Sequence, residues 1–137
     1  MSLRFLIIGG GPAGNQAATY AARLGAKVTV VERDVIGGAA HLWDCIPSKT
    51  MIATGGALSF TKRIRGMGLE EHAAEVDIEA LTERIDSIKG RLLNDATKLL
   101  ESQRVRIVTG SARFTGPHTA EVIGVDGTET IEFDAAL

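Results

Sequence analysis

Residues 3–14 read LRFLIIGGGPAG, a mostly apolar run that leads into a glycine-rich loop. An apolar run of this length is typical of a strand buried on both faces of a parallel sheet, so it predicts a central first strand. The loop fits the pattern G-x-G-x-x-G. We expect Gly9 to permit a tight turn, Gly11 to let backbone amides approach a pyrophosphate, and Gly14 to let helix and strand pack closely.

The residues after the loop predict the rest of a strand–helix–strand unit. Apolar residues recur at helical spacing from Ala13 to Leu24, and Gly25 follows where a helix C-terminus favours left-handed geometry. Residues 27–32 are rich in β-branched side chains and end in Glu32. They predict a second strand, parallel to the first.

An acid at the end of the second strand makes the glycine pattern more specific for a dinucleotide-binding site. Glu32 lies 23 residues after Gly9, where a carboxylate accepts hydrogen bonds from both hydroxyls of a ribose. The helix that begins at Pro12 and Ala13 would present free amides and a positive dipole to the pyrophosphate. The pattern predicts one bound dinucleotide, NAD or FAD, and the alternative is a glycine turn that only packs. Arg33 is either a contact for a 2′-phosphate or a solvated surface side chain.

Two further helices are predicted from apolar spacing. The second helix begins near Pro47, and its apolar positions are Met51, Ile52, Leu58 and Phe60. A long third helix has one apolar face, formed by Ile78, Leu81, Ile85, Ile88, Leu92 and Leu99. This face fits either a helix that lies on a sheet or a coiled-coil seam.

The last third of the chain predicts mainly strands. Residues 105–108 form a third parallel strand, and residues 118–123 and 128–133 alternate around Asp126-Gly127, which indicates a hairpin. Residues 133–137 read as the opening of another buried strand, so the chain looks cut short.

Composition excludes several classes of protein. With 45% hydrophobic and 23% charged residues, 137 residues suit one globular domain and not a disordered chain. Fifteen Lys and Arg against 17 Asp and Glu provide no basic field for nucleic acid or an anionic membrane. The sequence has one cysteine, Cys45, which cannot form a disulfide within the chain. It also lacks a predicted membrane span and a signal-peptide cleavage site, so we expect a cytoplasmic protein. His72 and His118 have no second ligand at metal-like spacing, so no metal site is expected.

Residues 37–49, GGAAHLWDCIPSK, resemble the redox-active segment of the class I pyridine nucleotide-disulfide oxidoreductases. This family of dihydrolipoamide dehydrogenase, glutathione reductase and mercuric reductase reads G-G-T-C-x-N-x-G-C-I-P-S-K there. The resemblance implies an α/β fold, a Rossmann-like FAD-binding domain with a parallel sheet and a β-hairpin or meander. Residues 1–137 would be its N-terminal FAD-binding domain, without the NAD(P)-binding and dimerisation domains. It also implies FAD as cofactor, NAD(P)H as co-substrate and a homodimer at full length.

The resemblance further implies roles for individual residues. The loop from Gly9 to Gly14 would hold the FAD pyrophosphate, Glu32 the adenosine ribose, and the Ala112 backbone the adenine. Cys45 would be the flavin-side sulfur and Lys49 would lie near the flavin N5, which makes them the catalytic candidates. Without the resemblance, Lys49 would be a solvated helix residue and Cys45 a small buried hydrophobe. The full cofactor-binding set is Gly9, Gly11, Pro12, Ala13, Gly14, Glu32, Arg33, Gly37, Gly38, Ala39, Lys49 and Ala112.

Departures from the family pattern change the expected reaction. Ala40 stands where the family has its first cysteine, so the two-thiol couple cannot form. We therefore expect electrons to pass from NAD(P)H through FAD to a small diffusible acceptor, a quinone. The alternatives are a soluble pyridine nucleotide transhydrogenase and a non-catalytic flavin- or nucleotide-binding module. Asp44 replaces a glycine, and its carboxylate predicts a poorly reactive Cys45 thiol. His41 and Trp43 either shape the flavin pocket or serve the structure, and residues 1–137 alone should be inactive.

Overall fold

The computed structural model describes residues 2–70 and 73–137. His72, weighed above as a metal ligand, lies outside the described residues. In chain order these residues form β1 (Arg4–Ile8), α1 (Pro12–Arg23), β2 (Lys27–Glu32), a π-helical segment (Ala40–Cys45), α2 (Ile46–Thr61), α3 (Ile78–Ser102), β3 (Arg106–Thr109), β4 (Ser111–Gly116), β5 (Thr119–Gly124), β6 (Gly127–Glu132) and β7 (Ala135–Ala136).

A parallel sheet forms the centre of the fold. Its strand order is β3-β2-β1-β7, and β1 pairs in parallel with both of its neighbours. The predicted central first strand and the predicted parallel second strand are confirmed. The third parallel strand is also confirmed, one residue later than predicted, beside β2. Residues 133–137 do open another strand, since β7 pairs with β1.

The two faces of β1 are covered by different layers, which explains its continuous apolar run. Ile7 is 1% exposed and packs with Ala18 of α1 and Leu100 of α3. Leu6 is 0% exposed and packs on the other face with Val122 of β5. The two helices therefore cover one face of the parallel sheet and the antiparallel strands cover the other.

Strands β4, β5 and β6 form an antiparallel three-stranded meander. The predicted hairpin is confirmed, but Gly124 pairs with Gly127, so its two turn residues are Val125 and Asp126 and not Asp126 and Gly127. Gly127 opens β6 with a φ of 123°, a conformation that favours glycine. Strand β4 was not predicted as a strand, because most of its side chains are exposed and it lacks a clear apolar alternation.

The apolar faces predicted for α2 and α3 are partly wrong. Met51, Ile52 and Phe60 of α2 are more than half exposed and do not belong to the core. Near the C-terminus of α3 the buried leucine is Leu100, which is 1% exposed, and not the predicted Leu99, which is 51% exposed. Leu93 and Ala96, which precede Leu100 along α3, pack against the same core cluster. The helix therefore lies on the sheet, and the coiled-coil alternative is not needed.

An ion-paired cluster joins the first strand to the last residues of the meander. The Arg4 guanidinium donates to Asp134 at 2.8 Å and to Glu132 at 2.8 Å, and the Arg4 amide donates to Asp134 Oδ2 at 2.8 Å. The Asp134 amide returns a bond to the Arg4 carbonyl. The hydrogen bonds from Arg4 lower the pKa of Asp134 to about 2. The charged carboxylate is thus favoured in the folded state.

Asp134→Asn should flatten the acid dependence of stability. The folded-state pKa of Asp134 lies below its unfolded value, so its contribution is present above about pH 4 and is lost as pH falls toward about 2. Urea unfolding measured in steps from pH 5 to pH 2 should show a smaller loss of stability in this variant than in the wild type. Asp126→Asn, an exposed acid in the hairpin turn, is the control. Identical slopes for the wild type and Asp134→Asn would contradict the assignment.

Candidate functional site

The glycine loop turns sharply between β1 and α1. Gly9 has a φ of 110°, in the region that favours glycine, and its amide donates to the Val31 carbonyl at 2.8 Å. A Cβ at Gly14 would lie 1.9 Å from the Gly9 carbonyl oxygen. Both positions therefore require glycine, for the turn itself and for the close approach of helix to strand.

The start of α1 presents backbone amides. Gly11 is the N-cap, without a side-chain capping bond, and Pro12 is the first helical residue. The amides of Ala13 and Gly14 lie in the first turn, where helix geometry supplies no carbonyl four residues earlier. A Cβ at Gly11 would meet nothing within 4 Å, so the space beside this N-cap residue is open. The arrangement suits an anion.

A second glycine pair packs against the first loop. The Gly37 amide donates to the Gly10 carbonyl at 2.8 Å. Gly38 has a φ of 76°, and a Cβ there would lie 2.8 Å from the Gly11 Cα. The segment after β2 can therefore close over the glycine loop because Gly38 lacks a side chain.

The Glu32 carboxylate is engaged by the protein itself. Its Oε2 accepts from the Gly10 amide at 2.6 Å and its Oε1 accepts from the Asp34 amide at 2.8 Å. Sequence reasoning assigned Glu32 to a ribose and missed these two partners. No sequence signal marks them, since both donors are backbone amides.

A cleft of about 440 Å³ collects most of the predicted site residues at the carboxyl ends of β1 and β2. Its volume lies within the usual range of ligand pockets. Of the predicted set, it is lined by Gly9, Gly11, Glu32, Arg33, Gly38, Ala39 and Ala112. Asp34, Gly110 and Ser111 also line it and were not predicted. The end of β3 at the same sheet edge is the signal that would have found Gly110 and Ser111.

The remaining predicted residues lie beside the cleft or away from it. Gly37 is buried next to Gly38, while Pro12 and Ala13 are exposed at the start of α1 and Gly14 is buried beneath them. Cys45 is a free, exposed thiol, not a buried hydrophobe, and Lys49 is exposed one helical turn later in α2. Neither of the two lines the cleft.

Cys45 does not occupy a free helix N-terminus. The π-helical segment Ala40–Cys45 runs directly into α2, and the Leu42 amide donates to the Gly38 carbonyl at 3.1 Å. The positive end of this helical stretch therefore lies near Ala40, and the Cys45 sulfur is several residues inside it. The thiol gains less from the helix dipole than the position of Pro47 suggests.

Trp43 connects the π-helical segment to α3. The Lys89 ammonium lies 4.3 Å from the centre of the Trp43 ring, within the range of a cation–π contact. Lys89 also pairs with Asp86 at 2.9 Å. Of the two roles considered for Trp43, this contact supports the structural one.

Residues 2–70 and 73–137 show neither a metal cluster nor a membrane-spanning helix. That part of the chain contains no group of three or more His, Cys, Asp or Glu side chains that could hold a metal ion. Its helices include none that is both long and apolar enough to cross a membrane.

Comparison with protein families gives one match across almost the whole chain. The family described as pyridine nucleotide-disulphide oxidoreductase matches residues 3–137. Among curated proteins, the dihydrolipoyl dehydrogenase of Geobacillus stearothermophilus is 34% identical over 96% of this chain and 28% of its own length. A mercuric reductase of Lysinibacillus sphaericus is 34% identical over 87% of this chain and 22% of its own.

Solved structures give the same fold. LpdA of Mycobacterium tuberculosis superimposes with a TM-score of 0.85 and 31% identity, over 98% of this chain and 30% of LpdA. The HOCl-induced flavoprotein disulfide reductase RclA of Escherichia coli shares the fold at 21% identity and a TM-score of 0.79, over 99% of this chain and 28% of RclA. The chain thus spans less than a third of the length of the relatives that it matches.

Gly14→Ala and Gly11→Ala should differ sharply in stability. The Cβ at position 14 collides with the Gly9 carbonyl, and relieving the collision should cost about 3 kcal/mol of unfolding free energy. The Cβ at position 11 enters open space and should change stability by less than about 1 kcal/mol. Thermal unfolding followed by circular dichroism measures both. Equal melting temperatures for the two variants would contradict the close approach.

Proposed function

We propose, from the premise that this chain belongs to the pyridine nucleotide-disulphide oxidoreductase family, that it is the FAD-binding part of a cytoplasmic NAD(P)H-dependent flavoprotein oxidoreductase. The observation that carries the proposal is the cleft in which the glycine loop, the Glu32 carboxylate and Ala112 meet. Since the relatives are more than three times as long, the NAD(P)-binding domain and a homodimer interface belong to the proposal for the longer protein.

The residues of the cleft fit the adenosine diphosphate end of FAD. The open space beside Gly11, at the start of α1, suits a pyrophosphate, because helix N-termini bind anions without a basic side chain. Glu32 faces the cleft, and each of its carboxylate oxygens keeps a lone pair beyond the one given to a backbone amide. Those two lone pairs can accept from the two hydroxyls of a ribose. Arg33 is exposed and lies at the wall of the same cleft beside Glu32, which would place it next to the ribose.

The segment after β2 would carry the chemistry. FAD, when bound, supplies the ring that takes a hydride from NAD(P)H and passes the electrons on. Gly37, Gly38 and Ala39 would guide the middle of the cofactor from the cleft toward α2. Lys49 would hold its ammonium near that ring, where a positive charge stabilises an electron-rich flavin. Cys45 lies one helical turn before Lys49 and would face the same side of the helix.

The electron acceptor is proposed to be a small diffusible molecule, a quinone. The support is Ala40, at the position of the family's first cysteine, together with Cys45 as the one cysteine of residues 1–137. A single thiol cannot form the internal disulfide that passes electrons to a disulfide substrate. A pyridine nucleotide as acceptor, in a transhydrogenase, is compatible with the same residues.

Gly11→Val should weaken FAD binding at least about tenfold, because its branches would fill the open space beside the start of α1 that is proposed to hold the pyrophosphate. Gly90→Val is the matched control, since position 90 is an exposed site on α3 where a Cβ also meets nothing within 4 Å. Equilibrium dialysis with FAD, and with FMN as the ligand that lacks the adenosine diphosphate end, measures both variants. Unchanged FAD affinity in Gly11→Val would overturn the proposed site.

In the longer protein that contains this chain, NADH or NADPH should bleach the visible flavin absorption, and a quinone should restore it. Lipoamide should not restore it at a comparable rate, because the two-thiol couple is missing. Stopped-flow spectra recorded with quinones, thio-NAD and lipoamide separate the acceptors. Fast reoxidation by thio-NAD alone would indicate the transhydrogenase, and fast turnover of lipoamide would refute the proposal.

A further inference from the structure

Glu32 has a set of contacts that ribose binding does not require. Its carboxylate accepts one backbone amide on each oxygen, from Gly10 at 2.6 Å and from Asp34 at 2.8 Å. The bond from the Gly10 amide is partly buried, so water competes poorly with it, whereas the bond from the Asp34 amide is exposed. Hydrogen bonds to an ionised acceptor are about twice as strong as those between neutral groups.

Both polar groups of the Gly10 backbone are engaged by the segment around Glu32. The Gly10 amide donates to Glu32, and the Gly10 carbonyl accepts from the Gly37 amide at 2.8 Å. Gly10 is buried, and a Cβ there would lie 2.7 Å from Ile36 Cδ1. The residue is therefore held at its amide and at its carbonyl, and it has no room for a side chain.

The residues on either side of Gly10, Gly9 and Gly11, shape the proposed anion-binding site at the start of α1. Gly9 makes the sharp turn and Gly11 caps α1. A rotation of the peptide between Gly9 and Gly10 would re-aim the chain that leads into the first turn of the helix. The Glu32 carboxylate opposes such a rotation, because it would lose a charge-assisted bond.

We infer that Glu32 is a positioning residue for the pyrophosphate-binding loop, in addition to a contact for the ribose. The inference rests on the proposed function, since it concerns the same nucleotide cleft. Two backbone donors require two acceptor oxygens, which a carboxylate has and a carboxamide does not. In Glu32→Gln the amide nitrogen must face either the Gly10 or the Asp34 amide, so one donor loses its partner. The loop should then be less well ordered even when no ribose hydroxyl is present.

A ligand without ribose hydroxyls separates the two roles. We would measure binding of ADP and of 2′,3′-dideoxy-ADP to the wild type, to Glu32→Gln and to Glu83→Gln, an exposed acid on α3 that serves as control. We expect Glu32→Gln to weaken dideoxy-ADP about tenfold, the equivalent of one charge-assisted hydrogen bond, and ADP by more. The control should bind both ligands as the wild type does.

The outcomes distinguish the inference from the proposed function. If Glu32→Gln binds dideoxy-ADP as tightly as the wild type, Glu32 acts only through the ribose and the inference is wrong, while the cleft remains a nucleotide site. If the wild type binds neither ligand, the proposed function itself fails.

Amide spectra supply a readout that general destabilisation would not move. In the ligand-free wild type, the charge-assisted bond should place the Gly10 amide proton well downfield of the Gly11 amide proton. In Glu32→Gln the resonance of Gly10, Asp34 or both should move upfield while the amides of β5 and β6 stay in place. Should the variant not fold, the wild-type spectrum decides, and a Gly10 proton at an ordinary amide position would overturn the inference.

Discussion

The contact between the Gly9 carbonyl and the Cα of Gly14 is the constraint on which the rest of the structure depends. It brings the first helix onto the first strand at a distance that no side chain would tolerate. With α1 in this position, Ala18 reaches Ile7 in the core, and the helix start points its amides at the edge of the sheet. The core and the anion site therefore arise from the same close approach.

The cleft is assembled from segments that are distant in sequence but end at one sheet edge. Strands β1 and β2 contribute the glycine loop and Glu32, while the chain after β3 contributes Gly110 and Ala112. The Gly110 amide donates to the Glu32 carbonyl at 2.9 Å, which fixes the third segment to the second. Because half of the lining residues are glycine or alanine, the cleft depends on backbone conformation more than on large side chains.

Sequence reasoning predicted the elements with strong periodicity and missed those without it. The runs at β1 and β2, the helix between them and the β5–β6 hairpin follow directly from apolar spacing and turn residues. Strand β4 was missed because it is mostly exposed, and pairing with β5 defines it instead. The face of α3 was misplaced at Leu99, since helix periodicity alone does not fix which of two adjacent leucines meets the sheet. The hydrogen bonds from the Gly10 and Asp34 amides to Glu32 could not be predicted, because every residue except proline has a backbone amide.

The π-helical segment Ala40–Cys45 affects the directions in which the side chains at the start of α2 point. A helix bonded from each residue to the fifth one along holds more residues in a turn than an α-helix does. The directions in which Cys45 and Lys49 point are thus set by where this wider turn gives way to the α-helix. The spacing between Gly38 and Cys45 thus acts as an angular setting for two side chains, beyond the length of chain that it provides.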